Sequence, residues 1–241
     1  MLPVVVHPPG MDSRASFPVT PLTKVSRLPA RASYDRADAY AILDEGLVAA
    51  VGFVDGEQPF VIPMAYARLG DALVLHAAST SRFQRVLASG ARLCVTVMLV
   101  DGIVLARSAF HHSMNYRSVV VLGSAAELTA EPEKLAALGS LLEHALPGRS
   151  AACRPPSAVE LKATRVFALP LVEVSVKRRA GGPLDDAEDL DSPYWAGVLP
   201  FTTRPGIPEP DPAHPPRGRE PGGLASYDRA TFTRAQQEKP R

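Results

Sequence analysis

The spacing of apolar positions changes several times along this chain of 241 residues, and each change predicts an element. Residues 1 to about 30 are Pro-rich and have no period. They read as an arm that is ordered only where it docks. Over 33–45 the apolar positions fit a helix, with Ser33 or Asp35 as cap, Tyr40 and Leu43 inward, and Gly46 as stop. Strand patterns come next. LVAAVGFV runs into Asp55 and Gly56, PFVIPMAYARL into Gly70 and Asp71, and ALVLHA completes a meander of three strands joined by turn pairs. SRFQRVLAS returns to a helical period and Gly90 stops it. Two longer strands are expected at about 92–104 and 116–129. A helix over Glu131–Ala145 is opened by Pro132, and a last strand covers about 165–176.

Six strands joined mostly by short turns, with peripheral helices, predict a mainly β antiparallel barrel. Regular βαβ alternation and GxGxxG are both missing, which argues against a dinucleotide-binding doubly wound sheet. One domain is expected over 31–200. The tail over 201–241 is rich in Pro, Gly, Arg and Glu, so it is either disordered or extended on a partner subunit.

Composition narrows the partners. Formal net charge is +1 with acids and bases mixed, which disfavours nucleic acid as the main partner. No segment is long and apolar enough to span a bilayer, and the apolar start is short and broken by Pro. Cytoplasmic residence is therefore expected. Cys94 and Cys153 form no CxxC pair. Cys94, inside LCVTVMLV, reads as a buried core thiol, and no disulfide is expected.

The chemistry concentrates in two segments. VLHAASTSR at 74–82 reads as a strand, a hydroxyl-rich turn and a helix start. Ser79, Thr80 and Ser81 offer hydroxyl donors, Arg82 a planar charged fork, and a helix start adds free N–H groups. That set suits a phosphate. Arg85 is a weaker second contact. FHHSMNYRSVVVLG at 110–123 brings Asn115, Tyr116, Arg117 and Ser118 to the start of another strand. Pro63 breaks a strand ladder, so the backbone of Pro63, Met64 and Ala65 faces either a ligand edge or solvent. His76 ends its strand just before the hydroxyl turn, where it would meet the same ligand. His111 and His112 are adjacent, so in an extended chain they point apart and do not share a metal. There is no zinc pattern, no GxSxG and no paired carboxylate in an apolar setting, so a bound cofactor would carry the chemistry.

On VIPMAY at 61–66, LHAASTSR at 75–82, HSMNYRSVVVLG at 112–123, VKRRAGGP, and YWAGVLP at 194–200, the chain resembles the FMN-binding split-barrel proteins related to pyridoxamine 5′-phosphate oxidase. Within them it looks closest to the nitroimidazole-resistance branch. The resemblance implies a six-stranded antiparallel split barrel and a homodimer with FMN at the subunit interfaces. It places Pro63, Met64 and Ala65 along the isoalloxazine, with His76 and Ala77 near the ring and ribityl chain. Ser79, Ser81 and Arg82 would hold the phosphate, and Asn115, Tyr116 and Arg117 would complete the site. Trp195 would cover the ring, from the same or the other subunit. The turn here is Ser-Thr-Ser-Arg where many relatives have Gly and Lys.

Three functions follow as expectations. The first is an FMN-dependent oxidoreductase, with His76 as candidate catalytic residue, passing electrons from NAD(P)H to a nitroaromatic, a quinone or oxygen. The second is a non-catalytic FMN-binding or storage module. The third is a haem-binding split barrel using His76, His111 or His112.

Overall fold

The structure is a computed structural model and describes residues 16–214, Leu224, Tyr227 and Asp228. Expectations for residues 1–15 and for the rest of the tail lie outside the described residues. After an irregular stretch that ends in a short 3-10 helix (Pro29–Arg31), the order is β1 (Ala32–Ser33), α1 (Arg36–Glu45), β2 (Val48–Asp55), β3 (Gln58–Ala65), β4 (Ala67–Leu69), β5 (Ala72–Ala78), α2 (Arg82–Ala88), β6 (Arg92–Leu105) and β7 (Ser113–Ser124). Then come β8 (Ala126–Glu127), α3 (Glu131–Ala145), α4 (Ala158–Ala163), β9 (Thr164–Pro170), β10 (Glu173–Arg179) and β11 (Gly197–Pro200).

Two antiparallel sheets result. One runs β1-β10-β7-β6-β2-β3 with β11 added to the far part of β6, and the other runs β4-β5-β9-β8. This is the mainly β, antiparallel architecture that the strand pattern predicted, with eleven strands where about six were expected, and its division into two sheets is the split barrel that the resemblance implied. The main core collects inward residues of both sheets: Val51, Val95, Val97 and Val119 from the first, Leu73, Leu75, Phe167 and Leu169 from the second. Helix α1 contributes Ile42 and Leu43 to it, and α2 contributes Phe83, Val86 and Leu87. A smaller cluster under α3 packs Ala137 against Ala67, Val74, Val166 and Ala168 on the other face of the second sheet.

Local signals explain most boundaries. The β2–β3 and β4–β5 turns use Gly56 and Gly70 at φ 66° and 58°, a region that favours glycine. Asp35 and Gly46 flank α1 as expected, but the Asp35 carboxylate accepts from the Ser16 hydroxyl and does not cap the helix. The expected strand over 165–176 is two strands in different sheets. The chain leaves β9 at Pro170, which has no N–H to continue a ladder, and enters β10 three residues later. Cys94 is exposed, which corrects its assignment to the core. Over the first half of β6 the buried positions are Leu93, Val95 and Val97, so strand alternation turns Cys94 outward.

The outer face of the large sheet has a composition of its own. Over β3, β2, β6 and β7, two cross-strand rows, Pro63–Ala50–Thr96–Val120 and Val61–Gly52–Cys94–Leu122, carry no charged side chain; on β10 they continue to Ser175 and Glu173. Sheets normally cover such a face.

Gly46 gives a stability test. A Cβ there would lie 2.5 Å from Val97 Cγ1 and 2.8 Å from the Tyr66 hydroxyl, which itself donates to Leu43 O at 2.6 Å. Gly46→Ala is expected to cost about 1–3 kcal/mol, read as a lower denaturant midpoint at unchanged m-value.

Candidate functional site

The site starts where the two sheets part. Strands β3 and β4 are consecutive, but only β4 pairs with β5, and that ladder ends at Ala67 opposite Val74. Upstream of it β3 pairs with β2 alone, while β5 continues along β9 to Ala78. The β3 edge at Pro63, Met64 and Ala65 and the end of β5 at His76 and Ala77 therefore diverge, leaving β3 with an open edge. The ladder to β2 stays in register through Pro63, opposite Ala50. Pro63 and Ala65 are exposed, whereas the Met64 side chain turns inward to the core. Only the backbone of Met64 is thus available at this edge.

The hydroxyl turn closes the far end of the cleft. Ser79 N–H donates to Ala163 O and Ser81 N–H to Ala78 O, which fixes the turn between β5 and α2. Ser81 is the N-cap of α2, its hydroxyl accepting from Gln84 N–H at 3.1 Å. The helix starts at Arg82, as the sequence predicted. Ser79, Thr80, Ser81, Arg82, Gln84 and Arg85 line a cavity of about 430 Å³. Among the described residues, the Ser79 and Thr80 hydroxyls have no hydrogen-bond partner. Asp55, on the β2–β3 hairpin, sits 3.4 Å from Arg82 Nε and 2.8 Å from Arg85 Nη2. One carboxylate between two guanidiniums leaves the cavity net positive. Arg82 also stacks 4.7 Å over the Phe60 ring of β3, so the turn stands directly beside the open strand.

His76 faces the α3 side of its sheet, on the same face as Val74. Its Nδ1 is buried and lacks a partner among the described residues. Burial pushes its pKa below the ordinary histidine value. The sign of the linkage follows. Below about pH 6.5 the unfolded chain binds the proton that folded His76 resists, so stability falls with pH until His76 itself titrates. The acid-side slope of stability between pH 7.5 and 5.5 is expected to flatten in His76→Gln, measured by urea midpoints.

The second predicted segment lies elsewhere. Strand β7 is separated from β3 by β6 and β2, about 14 Å at ordinary strand spacing. The Asn115 amide donates to Gly181 O, and its oxygen accepts from the buried Arg179 guanidinium at 2.6 Å. Tyr116 lies opposite Arg179 in the β7–β10 ladder. Arg117 is spent on structure. It grips Glu45 through both Nη atoms at 2.5 and 2.9 Å and Asp101 at 2.7 and 3.0 Å, and these bonds hold its pKa above the usual arginine value. Trp195 is exposed on the segment leading to β11, its ring packed over Gly197. Within one chain, none of these four residues reaches the turn.

The two adjacent histidines are also engaged. His111 Nε2 is 3.0 Å from Asp186, and His112 Nδ1 is 2.9 Å from Ser108 O. Among the described residues no three His, Cys, Asp or Glu side chains gather as a metal site, and no helix is long and apolar enough to cross a membrane. The Asp55 link and the Phe60 stack escaped sequence reading. The Asp-Gly turn showed the hairpin but not what its tip would touch.

Known proteins share this arrangement of split sheets. The family model for pyridoxamine 5′-phosphate oxidase matches residues 35–178. The chain belongs to that family. None of the curated proteins matches it. Among solved structures, the flavocytochrome Anf3 from Azotobacter vinelandii is 38% identical with a TM-score of 0.82, over 87% of this chain and 97% of that one. The FAD and heme binding protein from Mycobacterium smegmatis is 34% identical with a TM-score of 0.77, over 81% and 96%. A candidate 5-nitroimidazole antibiotic resistance protein from Bacteroides thetaiotaomicron is 22% identical with a TM-score of 0.52, over 61% and 85%, a likeness of fold alone. The family's split barrel thus accounts for the resemblance read from the motifs.

Proposed function

We propose that the chain is a flavin-binding oxidoreductase that holds an FMN moiety, alone or within FAD, in the cleft between β3 and β5. The observation that carries this reading is the cavity at 79–85, net positive and with two unpartnered hydroxyls, standing at the end of an open strand edge. Ser79, Thr80 and Arg82 would bind the phosphate, Ser81 would shape the turn, and the backbone of Pro63, Met64 and Ala65 would meet the ring edge. A bound flavin supplies hydride and single-electron transfer. The protein's own part is to fix the phosphate and present a neutral His76 at the strand end. NAD(P)H is the proposed donor, and a nitroaromatic, a quinone or oxygen the acceptor. The names of the 38% and 34% identical structures, a flavocytochrome and an FAD and heme binding protein, support the flavin.

A homodimer belongs to the same reading, because the uncharged rows on the large sheet call for a cover of matching chemistry. Trp195, exposed, and Asn115 and Tyr116, remote from their own turn, would then serve the partner's site, with Arg117 bracing their strand through Glu45 and Asp101. Cytoplasmic residence stands as part of this proposal.

The first experiment is the absorption spectrum of the purified protein before and after FMN or FAD is added and desalted away. A retained flavin spectrum is the expected result; a colourless protein that holds neither nucleotide defeats the proposal. Steady NAD(P)H oxidation by the loaded protein distinguishes an oxidoreductase from a storage module. One observation favours a haem in addition. The His76 imidazole is unpartnered at its buried Nδ1, whereas His111 and His112 both have partners. Haem titration is expected to give a Soret band in the wild type that shifts in His76→Ala. An identical band in both removes His76 as ligand.

A further inference from the structure

Arg179, the last residue of β10, is only 7% exposed, and every group that holds it is neutral. Its Nη1 donates to the Asn115 side-chain oxygen at 2.6 Å and to Gly181 O at 3.2 Å, and its Nη2 donates to Gly182 O at 2.9 Å. Among the described residues its Nε has no partner. Arginines at this depth normally face a carboxylate, because a buried charge is costly unless it is paired. Here amide and carbonyl dipoles orient the guanidinium and leave its full charge in place. Two more cations stand beside it. Lys177 lies two positions earlier on the same face of β10. Ala32 pairs with Lys177, so the 3-10 turn Pro29–Arg31 abuts β10, and the Arg31 charge adds to burial in pushing the Arg179 pKa below the usual arginine value. Among the described residues no carboxylate lies within ion-pair distance of Arg31, Lys177 or Arg179. The acids of neighbouring positions, Asp38 on α1 and Glu173 on β10, face Arg178 and Thr20 instead.

We propose that Arg31, Lys177 and Arg179 form a binding site for a dianionic phosphate group, free or as a monoester. Three neighbouring cations repel one another, and a multiply charged anion relieves that repulsion. Phosphate fits them better than a single carboxylate does. At neutral pH a phosphate monoester carries close to two negative charges on three strong acceptor oxygens. Arg179 offers a guanidinium already oriented by Asn115 and the two glycine carbonyls, so little side-chain order is lost on binding. Arg31 and Lys177 are half-buried at the edge of the same sheet and add charge that can reach the ligand. The turn that carries Arg31 starts at Leu28, whose φ of 57° is a left-handed conformation that residues with a branched side chain rarely adopt. The site is distinct from the turn at 79–85. Strand β10 is separated from β3 by β7, β6 and β2, about 19 Å at ordinary strand spacing. It therefore does not rest on the flavin reading.

The test titrates the full-length protein, labelled with ¹⁵N-arginine, with inorganic phosphate, phenyl phosphate and acetate at about pH 8, where the phosphates are dianions. The readout is the Nε–H resonance of Arg179, identified as the one missing from Arg179→Lys. Phosphate is expected to shift it, and acetate to bind at least about tenfold more weakly. Arg31→Gln is expected to weaken the phosphate response at least about tenfold. That variant keeps the fold, because the Arg31 side chain makes no hydrogen bond among the described residues. Arg82→Ala, aimed at the flavin turn, leaves the response unchanged. Tighter binding of phenyl phosphate than of inorganic phosphate supports the site as one for an ester, and equal binding supports it as one for the free ion. A still resonance, a response unaffected by Arg31→Gln, or equal binding of acetate overturns the proposal. Loss of the response in Arg82→Ala also overturns it, because the phosphate then acts from the flavin turn. A protein that holds no flavin leaves this titration intact, so the two readings fail separately.

Discussion

Arg82→Ala is expected to weaken flavin binding by about 1.5–3 kcal/mol, roughly ten- to 150-fold in Kd. The size follows from what Arg82 does now. Its Nε lies 3.4 Å from Asp55, and its plane rests on Phe60, so the fork is oriented toward the cavity before any ligand arrives. A ligand phosphate gains a charged hydrogen bond without the full cost of ordering a free arginine. Removing Arg82 also leaves Asp55 facing the cavity with only Arg85 to offset it, which adds repulsion to the lost contact. Asp55→Asn is the informative opposite. It removes a competitor for both guanidiniums and is expected to leave flavin affinity unchanged or tighter. Fluorescence titration of cofactor-stripped protein with FMN measures both. An Arg82→Ala affinity equal to wild type removes the turn as the phosphate site.

The turn was legible because its signals are local. Ser81 caps α2 through a bond to a residue three positions away, and the hydroxyls that line the cavity are contiguous in the chain. The same holds for α3, whose start is marked by Glu131 and Pro132 and which spans the predicted residues. Arg117 was illegible for the opposite reason. Its partners lie 72 and 16 positions away, and only the folded sheets bring Glu45 and Asp101 together around it. Charge at a strand start looks the same whether it awaits a ligand or is already paired. The break at Pro170 was hidden because both strands around it are apolar, so the pattern runs on while the chain changes sheets.

Cys94 shows a subtler limit, and it leads to the second large effect. Period-two alternation identifies a core only when the other face is polar. Here neither face of β6 carries a charge over 93–98 and Thr96 is the one polar side chain, so the alternation marks the core face only weakly. In the folded chain Leu93, Val95 and Val97 take it, and Cys94 is left in an uncharged row between Gly52 and Leu122. An exposed position in such a row separates folding from assembly. Cys94→Glu places a carboxylate where the single chain leaves it hydrated, so monomer stability is expected to change by less than about 0.5 kcal/mol. If a second copy covers the row, the same carboxylate is desolvated without a partner, at a cost of several kcal/mol. Dimer dissociation should then rise by about two orders of magnitude or more. Sedimentation velocity across a concentration series reads the difference, with Cys94→Ser as the uncharged control. A Cys94→Glu protein that remains dimeric at wild-type concentrations rules this face out as the dimer contact. One that is monomeric, folded and still loaded with flavin keeps the face but shows that each cleft binds its cofactor without help from the other subunit. A monomer that has lost its flavin instead means that residues such as Asn115, Tyr116 and Trp195, remote from the turn in their own chain, reach the cofactor across the interface.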